Sequence, residues 1–125
     1  MTSNEQPHYA NGKICYLELP SRDAEESGAF YQTVFDWKIR RRGSGAVAFD
    51  DGVNEVSGTW RTDRRPNNDI GILVHIMVND IEVTIQKIIE QGGTIVQPVG
   101  MDAPEITAWF RDLSGNVLGL YQHRG

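Results

Sequence analysis

The sequence predicts an α+β fold built from two tandem βαβββ modules. The order strand, helix, strand, strand, strand is written twice along its 125 residues. Asp23 and Asp80 each stand where a helix begins. VSGTW (Val56 to Trp60) and VLGLY (Val117 to Tyr121) repeat a valine, a glycine and a large aromatic 61 positions apart. An internal repeat explains this better than chance. Each module leaves one sheet face uncovered by its helix, so two together are expected to enclose a cup.

Residues 1–12 read as a polar, disordered leader, and 13–125 as a single domain with modules 13–61 and 70–122 joined by a turn-rich linker at 62–69. The first strand is KICYLELP (Lys13 to Pro20). Asp23 with Glu26 forms a capping-box-like start to the helix, whose Phe30, Tyr31, Val34 and Phe35 make an apolar stripe. WKIRRR (Trp37 to Arg42), AVAFD (Ala46 to Asp50) and EVSGTWR (Glu55 to Arg61) follow as strands between glycine-rich turns. In the second module ILVHIMV (Ile72 to Val78) is the strand. Asp80 then opens a helix with Ile81, Ile85, Ile88 and Ile89 as its apolar face, ended by Gly92 and Gly93. TIVQPVG (Thr94 to Gly100), ITAWFR (Ile106 to Arg111) and NVLGLYQ (Asn116 to Gln122) complete it, with Ser114 and Gly115 as a tight hairpin.

A net charge of −5 argues against nucleic-acid binding, which draws affinity from Lys and Arg against phosphate. Two basic clusters, Arg40 to Arg42 and Arg61 to Arg65, read either as solvated strand ends or as an entrance for an anionic ligand. No apolar run is long enough to span a bilayer, and the N-terminus has no secretory-signal pattern. The single Cys15 cannot form an intrachain disulfide and fits a reducing cytoplasm.

LPSRDAEESGAFYQTVFDWKI (Leu19 to Ile39), VNDIEVTIQKIIEQGGTIVQP (Val78 to Pro98) and FRDLSGNVLGLYQ (Phe110 to Gln122) resemble the vicinal oxygen chelate superfamily, which includes glyoxalase I, bleomycin-resistance proteins and extradiol dioxygenases. The resemblance implies the paired βαβββ fold, a pocket in the cup and a homodimer. It also implies a divalent metal held by His and Glu from the first and fourth strands of each half. Carried over one at a time, those positions fall on Tyr16, Gly58, Leu73 and Gly119. Leucine and glycine offer no donor atom, and a catalytic site needs about three protein ligands. No metal residue and no cofactor are therefore predicted; a divalent metal is disfavoured.

Strand alternation places Tyr16 and Glu18 of the first strand, and Leu73, His75 and Met77 of its counterpart, towards the cup, with Cys15 facing the helix. Trp60 and Tyr121 share parity with Gly58 and Gly119 and are expected to face it too, joined by Trp109. Glu18 and His75, 57 apart, are the titratable pair at these positions, read either as an acid–base couple or as a structural pair. His8 and His123 read as exposed. The leading expectation is a metal-independent glyoxalase-like protein that binds a small organic molecule. The rivals are a lyase or isomerase using Glu18 and His75, or an unusual metal site, and a non-catalytic regulatory or assembly module.

Overall fold

In the computed structural model, the described residues are 9–11, 13–66 and 71–124. Most of the expected leader (1–8 and 12), His8, part of the linker (67–69) and residues 70 and 125 lie outside them. The chain divides into two units, Met1–Arg65 and Pro66–Gly125, each a βαβββ module.

The first unit contains β1 (Tyr16–Pro20), α1 (Ala24–Phe35), β2 (Lys38–Arg41), β3 (Val47–Asp50) and β4 (Ser57–Arg61). The second contains β5 (His75–Val78), α2 (Ile81–Glu90), β6 (Thr94–Gln97), β7 (Ile106–Arg111) and β8 (Val117–Gln122). Each forms a four-stranded sheet of the same order, β1-β4-β3-β2 and β5-β8-β7-β6, with the first and last strands parallel. Most strands are shorter than the sequence suggested. β6 stops before Pro98, which has no N–H to give a ladder.

Both helix starts follow the sequence signal. The Asp23 carboxylate accepts from the Glu26 N–H, and Asp80 accepts from the Val83 N–H, each at 3.1 Å. α2 ends where Gly92 takes a φ of +98°, which lets the Gly93 N–H reach the Ile88 carbonyl. The buried positions of α2 are Ile81, Thr84 and Ile88, so Ile89 is displaced from the expected apolar face and stands half exposed. The β7–β8 turn is longer than a two-residue hairpin: residues 112–116 wrap around the Asp112 carboxylate, which accepts from the Ser114 and Asn116 N–H groups.

α1 covers its sheet with an aromatic core. Trp37 stacks on Tyr31 at 4.6 Å and on Phe49 at 4.5 Å, and Phe49 meets Trp60 at 4.8 Å. Each such pair contributes about 0.5–1.5 kcal/mol beyond simple burial. Trp60 is only 4% exposed. This corrects two expectations at once. Trp60 and Gly58 face α1, not the open side of the sheet, because Gly58 pairs with Leu17 and Phe49 and shares their face. The Phe49 ring lies over Gly58, where a Cβ would strike both that ring and the Leu17 carbonyl. Cys15 is corrected too: it precedes β1 and is exposed rather than packed under the helix.

Gly58→Ala is therefore expected to lower unfolding stability by roughly 2–3 kcal/mol, because backbone cannot yield to the new methyl group. Gly43→Ala, whose Cβ meets nothing within 4 Å, serves as the control. It should stay within about 0.5 kcal/mol in the same urea titration.

Candidate functional site

Register decides which side chains each sheet offers on the face away from its helix. In the first unit the Ser57 N–H donates to the Cys15 carbonyl at 3.1 Å; in the second the Gly119 N–H donates to the Val74 carbonyl at 2.8 Å. These bonds are equivalent, so Tyr16 corresponds to His75 and Ser57 to Gly119. The VSGTW–VLGLY echo is thus one residue out of structural register. A slip of one residue moves a side chain to the opposite face. That is why Gly58 and Trp60 lie under a helix while Gly119 and Tyr121 do not. Leu73 precedes β5, is half buried, and gives way to His75 as the counterpart of Tyr16.

The open face of the first unit is charged. Tyr16, Glu18, Ser57, Thr59 and Arg61 stand on it together with Lys38, Arg40 and Asp50. Most of these charges are engaged. Glu18 accepts Arg64 at 2.6 Å and Arg61 at 3.5 Å, and Arg61 also holds Asp63 at 2.6 Å. Arg40 holds Asp50 at 2.8 Å, and on the helix side Arg41 pairs with Glu25. Arg42 donates to the Tyr16 hydroxyl at 3.4 Å. A cavity of about 630 Å³ is lined by Tyr16, Arg42, Thr59 and Arg61, and extends to the start of α1 at Asp23.

Asp50 also accepts the Ser57 hydroxyl at 2.7 Å. Its hydrogen bonds from Arg40 hold the carboxyl below the ordinary aspartate range; partial burial opposes this and Ser57 adds to it.

The open face of the second unit is different in kind. His75, Met77, Thr107, Trp109, Gly119 and Tyr121 share it. The imidazole of His75 lies directly on Gly119: a Cβ there would sit 2.7 Å from Nε2. The missing side chain of Gly119 is therefore the space that the His75 ring occupies. A cavity of about 360 Å³ is lined by His75, Met77, Thr107, Tyr121, Asp102 and Glu105. Trp109 shares the face without lining this cavity. Sequence reasoning missed Thr107, Asp102 and Glu105. Thr107 could have been found, since β7 alternates Thr107 and Trp109 against Ala108 and Phe110. Asp102 and Glu105 lie on a turn, where alternation gives no facing.

Two buried side-chain polar atoms among the described residues lack a hydrogen-bond partner: Trp60 Nε1 in the first unit's core and Thr107 Oγ1 beside this cavity.

With the register corrected, Tyr16 and Ser57 of the first module are the counterparts of His75 and Gly119 of the second. Within the first module these positions offer a phenol and a hydroxyl already given to Asp50, and within the second an imidazole and a glycine, in each case fewer than the three donors a divalent metal usually takes. Among the described residues no group of three or more His, Cys, Asp or Glu is placed to hold a metal ion. None of their helices is long and apolar enough to cross a membrane.

A family model described as glyoxalase/bleomycin resistance protein/dioxygenase superfamily matches residues 13–120. No curated protein matches the chain by sequence. Among solved structures, the chain is similar to a glyoxalase family protein from Bacillus cereus, with a TM-score of 0.73 at 15% identity, covering 94% of this chain and 97% of that one. A hypothetical protein from S. aureus gives 0.72 at 20% identity, covering 92% and 96%. A family enzyme from Burkholderia phytofirmans gives 0.69 at 18% identity, covering 89% and 98%.

Because its folded Asp50 carboxyl is acidified, that group adds stability above its unfolded pKa and loses it as pH falls through the lower folded value. Asp50→Asn should cost about 1 kcal/mol at pH 7, a figure kept small by the exposure of Arg40. The gap to wild type should narrow below about pH 4, near the ordinary aspartate pKa, in urea titrations at pH 7 and pH 3.

Proposed function

The chain belongs to the glyoxalase/bleomycin resistance protein/dioxygenase superfamily, and from that premise we propose that it binds a small organic molecule without the metal site usual in such proteins. The binding surface is the open face of the second module, at the cavity beside His75, Met77 and Tyr121. The observation that carries this reading is the seat of His75 on Gly119. The ring fills the place where a liganding side chain would project and presents its edge next to an aromatic and a thioether. Flat, partly apolar walls with a few polar groups are the usual makeup of a small-molecule site.

Acid–base catalysis by Glu18 and His75 is the lesser reading. The Glu18 carboxylate is engaged by two guanidinium groups of its own module, one at each oxygen. Cytoplasmic residence and a homodimer remain part of the proposal, the first on the lone free cysteine, the second on the open sheet edges of each module.

The test is a thermal-shift screen of aromatic and heteroaromatic metabolites in EDTA, followed by titration of the best hit. A ligand present at a hundred times its Kd should stabilise the protein by about 2.7 kcal/mol. Gly119→Ala, which must push the His75 ring aside, should weaken that ligand at least about tenfold, since it displaces a wall of the site. Binding that appears only after stoichiometric nickel, zinc, manganese or iron is added would overturn the metal-independent reading. Turnover that Glu18→Gln abolishes while binding persists would put the enzyme reading in its place.

A further inference from the structure

The cavity on the second module's open face also constrains the charge of its occupant. The turn before β7 brings Asp102 and Glu105 to its rim. They are its only formally charged lining residues among those described, and no Lys or Arg lines it. Glu105 is partly offset by Arg124 at 3.6 Å, whereas no hydrogen bond or ion pair among the described residues engages the Asp102 carboxylate. At the same cavity Thr107 is only 6% exposed, and its Oγ1 has no partner. A buried hydroxyl left unpaired costs about 1–3 kcal/mol, which a turn of the Thr107 side chain toward a ligand atom in the cavity would recover.

From these features we infer that the cavity takes a small organic cation, an ammonium group carried on an aromatic body. The ammonium lies toward Asp102 and Glu105, the ring packs on Met77 and Tyr121, and a polar ring atom meets Thr107 Oγ1 once that side chain turns toward the cavity. An anion would face two carboxylates with no lining cation to offset them, and a neutral molecule would leave them uncompensated. The Tyr121 ring adds an attraction for positive charge that it does not offer to an anion. The contrast with the first module is sharp, because Lys38, Arg40, Arg42 and Arg61 share that module's open face. The inference rests on the reading of the second module's face as a small-molecule site.

Three probes of one shape separate the charge claim from that reading: tryptamine, the neutral 3-ethylindole and indole-3-propionate. Each is titrated calorimetrically at pH 8 in low salt, with amide spectra following Thr107 and Tyr121. Tryptamine should bind with a Kd in the low millimolar range or tighter, at least about tenfold better than 3-ethylindole. That preference should fall below about threefold in Asp102→Asn/Glu105→Gln and shrink as salt is raised. Both substitutions are at the surface and leave the 102–105 backbone bond intact, so the variant folds. Thr107→Val should weaken tryptamine and 3-ethylindole alike by about threefold to tenfold, through loss of one hydrogen bond to the indole N–H. Equal binding of the cationic and neutral probes, or a preference for the propionate, overturns the cation claim and leaves the small-molecule reading standing. An unchanged preference in the double variant also overturns it, because the cation is then recognised elsewhere. Absence of binding by all three, with no spectral change at Thr107 or Tyr121, overturns both.

Discussion

The parallel pairing of the first and last strands in each module is the constraint on which the account depends. A ladder of paired residues holds it in each unit, opened by the bond from Ser57 to Cys15 in one and from Gly119 to Val74 in the other. Strand side chains alternate strictly, so these bonds choose which residues go beneath the helix and which are offered outward. In the first module the choice buries Gly58 and Trp60 in an aromatic core and turns Ser57, Thr59 and Arg61 out. In the second it buries Leu118 and Leu120 and turns Gly119 and Tyr121 out.

The two modules share one topology but have diverged in what their open faces carry. The first presents paired charges, with Asp50 holding both Arg40 and Ser57, and Glu18 holding Arg61 and Arg64. Such exposed pairs are individually weak, yet together they commit the polar atoms of that face to one another. The second presents an imidazole seated on a bare glycine, a thioether, a phenol and an unpaired hydroxyl. A fold common to several activities does not decide among them, and the argument for function rests on these side chains.

Much of the fold was legible because it is written in local signals. Asp23 and Asp80 are N-caps in sequence and in structure, and the repeated order of elements gave the two modules. The facing of β4 differs from the expectation, although the strand carries a signal for it. Ser57, Thr59 and Arg61 alternate with Val56, Gly58 and Trp60, an amphipathic pattern that places Trp60 in the core. The match with VLGLY obscured it. In β8 both faces are largely apolar, so alternation is silent and the register comes from its pairing with β5 and β7. The corrected positions bring in Ser57 in the first module and His75 in the second.

Gly58 and Gly119 face opposite sides of their sheets, one toward the helix and one away from it, and proton–proton distances measured by NMR test this most directly. The Gly58 α-protons are expected to lie close to the Phe49 ring, shifted by its ring current. Contacts are also expected between the Gly119 α-protons and the His75 imidazole, with no helix side chain near. Gly58 α-protons free of the Phe49 ring, with Trp60 exchanging its indole proton freely with water, would contradict this facing.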